Sequence, residues 1–145
     1  LSILCGVNDV GFALRMNKGA DAEKFAFIYD RMLYEGKKEK PGAAVVVCDP
    51  FLCRLRWEEV TYGTDIIEDW EIWDGHMQER AAIVRELAGK YGAVLVPGRE
   101  IFAAACRRAP ANHWSVDGIH LTPAGNGLLA REWLRAVKGA GNVLV

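Results

Sequence analysis

The chain has 145 residues, of which 51% are hydrophobic and 26% charged, with a formal net charge of −1. That length supports one buried core and not two. Acids and bases are interspersed, so the basic stripe needed for nucleic-acid binding is absent, and the longest apolar runs, AAVVVC and GAVLV, are far too short to cross a bilayer.

Taken in chain order, Leu1–Cys5 reads as a first strand, flat and rich in Leu and Ile. The string GVND follows it directly. In DAEKFAFIYDRMLYEG, residues Phe25, Ile28, Tyr29, Met32 and Leu33 share one helical face, and Gly36 is placed to end that helix. Ala43–Cys48 is a second strand. The stretch from Asp49 to Asp69 fits neither period and is read as a loop lying over a site. From about Trp70 to Tyr91, residues Trp73, Met77, Ala81, Val84, Leu87 and Tyr91 make a second helical stripe. Ala93–Val96 is a third strand. A last helix is marked by Thr122 as N-cap and Pro123 at its first position, with Leu129, Trp133, Ala136 and Val137 facing inward. Gly125 and Gly127 cost about 1 kcal/mol each in a helix interior, so a close backbone approach near the helix start is expected. Non-alternating strands separated by helices indicate an α/β fold with a parallel sheet covered on both faces.

The four cysteines, Cys5, Cys48, Cys53 and Cys106, form no CxxC pair and have no histidine at zinc spacing. Cys5 and Cys48 each close an apolar run and are expected as buried, reduced thiols, which favours a reducing compartment only weakly. The compartment is otherwise unreadable, because the chain has no initiator Met and opens in what reads as mid-strand.

In open α/β sheets, ligands sit beyond the carboxyl ends of the strands. GVND, after the first strand, and DGIH, before the last helix, are both placed there. An acid three residues before a histidine can hold one ring nitrogen, fix the tautomer and leave the other nitrogen as a base. Asp117 and His120 have that spacing. An asparagine amide at a strand end can donate to developing negative charge; Asn8 qualifies, and Gly6 lets the backbone turn. By itself each string is better explained by a plain turn or a helix cap.

Together, GVND and the distant DGIHLTPAG resemble the SGNH (GDSL-type) hydrolase family, in its bacterial carbohydrate-acetylesterase-like branch. Gly6, Val7, Asn8 and Asp9 match its third block, and Asp117 and His120 its fifth. The resemblance implies a three-layer α/β/α sandwich with a flavodoxin-like parallel sheet and ester hydrolysis by a Ser-His-Asp triad without cofactor. Asn8 would then be an oxyanion donor, His120 the base and Asp117 its orienter. Leu121 stands where that branch often has proline.

The family's Gly-Asp-Ser block is not in this sequence. Its serines are Ser2, inside the first strand, and Ser115, two residues before Asp117; neither is expected to be the nucleophile. The reading is therefore the C-terminal part of one SGNH domain with its N-terminal strands missing, inactive alone. Its exposed first strand would be free to pair with a second copy. The implied substrate is an O-acetyl ester on a carbohydrate. Trp57, Trp70, Trp73 and Trp114 are many indoles for one domain; Trp114 in particular is read both as a sugar-stacking platform beside the loop and as ordinary packing. A metal-dependent hydrolase using Asp9, Asp117, His120 and His113 is a rival reading, as is a non-catalytic binding module. His76, Arg54 and Arg56 are expected to be solvated.

Overall fold

The computed structural model describes residues 1–16, 21–56, 59 and 69–141. Its strands are β1 (Ser2–Ile3), β2 (Val46–Cys48) and β3 (Val94–Val96). They pair in parallel in the order β1-β2-β3, with Ser2 opposite Val46 and Val47 opposite Leu95.

Side chains alternate across a strand, and around β2 that alternation feeds two separate cores. Val45 and Val47 pack with Phe25, Tyr29 and Leu33 of α2 (Ala22–Glu39) and with Val84, Leu87 and Ala88 of α3 (Trp70–Tyr91). Val46 and Cys48 face the other way. They meet Phe102 of α4 (Gly98–Cys106), Ala111 of α5 (Ala111–Trp114) and Val137 of α6 (Pro123–Gly139). Each fully buried Val, Leu or Phe among these contributes about 1.5–3 kcal/mol relative to exposure. The result is the expected three-layer α/β/α arrangement.

Several expectations are corrected. Coverage on both faces holds for β2 but not for β1, where Leu1 is 61% exposed and Leu4 and Cys5 also reach the surface. Cys5 is thus not an interior thiol. Gly36 does not end α2: the helix runs on to Glu39 and closes where the Lys40 amide donates to the Gly36 carbonyl (3.0 Å). Ile28 and Met32 are exposed, so the buried stripe of α2 is narrower than the pattern. A further helix, α1 (Val7–Met16), begins inside GVND, where a turn or a helix cap was expected. On α3 the buried face is as predicted, with Arg80 added to it and Tyr91 only half-buried.

A third cluster caps the carboxyl ends of the strands. Val10 of α1 packs with Trp73 and Met77 of α3, and Val7, Leu52 and Ile119 close around them. No helix among the described residues is long and apolar enough to cross a membrane.

Candidate active site

The site begins at Gly6. Its φ of +125° is a conformation that side-chain-bearing residues rarely adopt, and an added Cβ would lie 3.3 Å from Pro50 Cγ. The chain therefore turns sharply off β1 and enters α1 at once. Asn8 falls in the first helical turn, exposed, and its amide makes no hydrogen bond among the described residues. The first backbone N–H groups of a helix have no partner within it.

The opposite side is a tight loop before α6. Ser115 and Leu121 form an antiparallel bridge, with the Val116 amide donating to the His120 carbonyl (2.9 Å) and the Thr122 amide to the Trp114 carbonyl (3.0 Å). Ser115 is fully buried. Its hydroxyl donates to the His120 carbonyl (2.8 Å) and accepts from the Gly118 amide (2.9 Å). Thr122 caps α6 by accepting the Gly125 amide (3.1 Å), and its hydroxyl donates to the His113 carbonyl (2.6 Å). The expected close approach is at Gly125, where a Cβ would stand 2.1 Å from the Trp114 carbonyl oxygen. Gly127 has open space and no such reason.

Asp117 and His120 meet within this loop. Asp117 Oδ1 accepts the amides of Ile119 (2.8 Å) and His120 (2.7 Å), and Oδ2 lies 2.5 Å from His120 Nδ1. Burial pushes the Asp117 carboxyl up, but the bonds from the His120 ring and the two amides outweigh it and hold the group below the usual carboxylate range. Asp117 is therefore ionised at neutral pH and can only accept. It follows that Nδ1 of neutral His120 carries the proton, which leaves an open lone pair on Nε2. The Asp117 side chain is 18% exposed and the imidazole 76%, so Nε2 has solvent access.

Three contacts draw the two sides together. Val7 and Ile119, the neighbours of Asn8 and His120, pack into the same cluster with Leu52. The Cys53 amide donates to the Gly118 carbonyl (2.9 Å). Gly6 lies against Pro50. The segment after β2 thus touches both strings; Trp57 and most of the stretch from Asp49 to Asp69, read as a loop lying over the site, lie outside the described residues.

Trp114 is placed elsewhere. Its indole packs with the core beneath α4 and α6, and it lines a cleft of about 370 Å³ with Ile101, Leu128 and Arg131 that includes neither Asn8, Asp117 nor His120. Its Nε1 is buried without a partner among the described residues. His113 stacks edge-on against that indole at 4.5 Å between ring centroids. Among the described residues no three His, Cys, Asp or Glu side chains are grouped to hold a metal ion, so Asp9, His113, Asp117 and His120 do not form a donor set.

Sequence reasoning passed over Ser115 as the pin of the loop, although SVDGIH carries the signal: a hydroxyl residue just before a turn favours local backbone bonds. It also passed over Asp49. That carboxylate is buried, accepting from Arg85 Nε (2.7 Å) and from the Arg99 amide at the start of α4 (2.9 Å).

No protein-family model and no curated protein sequence matches the chain. Solved structures do. A GDSL-like lipase from Parabacteroides merdae is similar over 94% of this chain at 31% identity, with a TM-score of 0.81. An α/β hydrolase from the metagenome of Lake Arreo, Spain, aligns over 99% at 17% identity and a TM-score of 0.73. An acetylxylan esterase from Geobacillus stearothermophilus aligns over 94% at 18% identity and a TM-score of 0.75. The chain spans only 59%, 60% and 57% of these proteins respectively.

Proposed function

Since the chain belongs to the SGNH (GDSL-type) hydrolases, we propose that it supplies the base, the orienting acid and an oxyanion donor of a serine ester hydrolase whose nucleophile is not within this sequence. The observation that carries this reading is the Asp117–His120 contact, which leaves Nε2 of His120 free to accept a proton. In the reaction, Nε2 takes the proton from an incoming serine hydroxyl as it attacks the ester carbonyl. Asp117 holds the ring and stabilises the imidazolium that results. The Asn8 amide donates to the tetrahedral oxyanion, a contribution of about 2.7–4 kcal/mol at the transition state, and the positive end of α1 adds to it.

Neither serine of the chain suits the nucleophile role. Ser115 is buried with its proton and a lone pair both engaged, and Ser2 accepts from the Trp133 indole (3.1 Å). The likeness of fold to an acetylxylan esterase supports an O-acetyl ester on a carbohydrate as substrate. Trp114, with its indole in the α4–α6 cleft, gives that choice little help. The free backbone of β1, flanked by Leu1 and Leu4, is expected to pair with a second copy when the chain is alone.

The test is hydrolysis of p-nitrophenyl acetate and of acetylated xylo-oligosaccharide by this chain and by the chain joined to a Gly-Asp-Ser segment of the same fold. Activity is expected only in the joined protein, unaffected by chelator and reduced about 10⁴-fold or more by His120→Ala. Equal activity in both proteins, or a joined protein indifferent to His120→Ala, would overturn the assignment. A folded joined protein that binds the oligosaccharide without hydrolysing it would favour a binding module.

A further inference from the structure

The cleft between α4 and α6 has a volume of about 370 Å³, large enough for a small molecule. Its floor is apolar. Ile101, Leu128 and Trp114 line it, partly buried against the core beneath, and Ala105 of α4 is buried there. Its lining includes none of Asn8, Asp117 and His120.

Above that floor the charges are unevenly matched. Arg108, just past α4, and Arg131 and Arg135 of α6 line the cleft together with Glu100 and Glu132. Both carboxylates are already engaged: Arg135 Nη1 donates to the two oxygens of Glu132 (2.9 Å each), and Glu100 accepts from Arg85 (2.8 Å), which is not part of the lining. The guanidinium groups of Arg108 and Arg131 have no hydrogen-bond or ion-pair partner among the described residues. Two cations on the wall of an apolar cleft draw anions into it.

We propose that this cleft binds a small organic carboxylate with an apolar body, its charge held by Arg108 and Arg131 and its body laid against Ile101, Trp114 and Leu128. A guanidinium presents paired donors that match the two oxygens of a carboxylate. An inorganic anion would gain nothing from the apolar floor, and a neutral apolar molecule would leave both guanidinium groups without an acceptor. The amphiphilic carboxylate uses both halves of the lining. Binding here does not depend on the esterase reading, because the cleft shares no residue with the Asp117–His120 pair.

The experiment titrates the chain with 3-phenylpropanoate and with octanoate, following the indole N–H protons by NMR, with Trp114→Phe assigning the Trp114 signal. Saturable movement of that signal is expected, and the tighter of the two carboxylates tells whether the body is aryl or alkyl. The alcohol 3-phenylpropanol lacks the charge and acetate lacks the body; each should bind about tenfold more weakly or worse. Arg108→Gln and Arg131→Gln should each weaken the carboxylates about tenfold and leave the alcohol unchanged. Both arginines are exposed, so glutamine at either place leaves the packing intact. His120→Ala should bind as the unaltered chain does; loss of binding there would move the ligand to the catalytic loop and overturn the cleft. No saturation below about 10 mM with either carboxylate, equal affinity for the alcohol, or indifference to both arginine substitutions would overturn it as well.

Discussion

The two sides of the rim are built in opposite ways. Around His120 the loop is held by its own bonds: Asp117 accepts two amides and meets the ring, Ser115 bonds in both directions, and Thr122 joins the helix cap to the His113 carbonyl. Around Asn8 there is little to compare. The amide side chain has no partner among the described residues, and the strand before it has two residues and an exposed outer edge. The contrast fits the roles proposed for the two sides. A base needs one ring orientation and one tautomer at all times, which only fixed neighbours provide. An oxyanion donor acts at the transition state, and a donor already satisfied in the resting protein would have nothing to give.

The largest test of that contrast is Asp117→Asn in the protein joined to a nucleophile segment. An amide there cannot hold the same tautomer, and kcat is expected to fall about 10⁴-fold; a loss under tenfold would mean the ring is held by something else. Asn8→Ala should lower kcat about 10²–10³-fold while leaving the melting temperature unchanged. A variant that melts early would show that Asn8 is part of the scaffold after all.

Stability should respond on the other side. Ser115→Ala strands the buried Gly118 amide and is expected to cost about 1–3 kcal/mol in denaturant unfolding. Gly125→Ala should cost a similar amount, about 1–3 kcal/mol, because its Cβ meets a backbone carbonyl rather than a movable side chain. No change in either variant would contradict the picture of a rigid loop. The smallest expected effect is in the pH dependence. The folded carboxyl of Asp117 lies below its unfolded value of about 3.9, so its stabilisation is complete above that pH and disappears as pH falls through the folded value. Thermal melts of the unaltered chain and of Asp117→Asn should therefore converge in strong acid; a constant gap from pH 6 to 2 would count against the pairing.

What could be read from residue order was whatever depends on near neighbours. Thr122 and Pro123 mark the start of α6 because a cap needs only the next turn. The stripe from Trp73 to Leu87 predicted the buried face of α3 because its period is local. What depends on distant contacts was hidden. Gly36 has the look of a helix end, yet α2 continues beyond it. Gly11 lies within α1. Its lack of a side chain suits the place, since a Cβ there would stand 3.1 Å from the Trp73 ring, contributed by another helix. Arg80 occupies a core position on α3, with its guanidinium over the Phe25 ring at 5.9 Å; no sequence pattern announces a buried cation. For the site itself, GVND and DGIH singled out Asp117, His120, Asn8 and Gly6 only through their joint resemblance to a known family, whereas Trp114 looked equally suited to sugar and to core until its neighbours were known.

Nearly every bond that shapes the His120 loop runs between residues 113 and 126. Short-range closure of this kind forms on the microsecond scale of hairpins and helix starts, ahead of slower sheet pairing. The acid–imidazole unit is thus close to a portable cassette. Spliced before a helix whose first turn carries glycine at the equivalent of Gly125, it should keep its internal geometry in an unrelated scaffold.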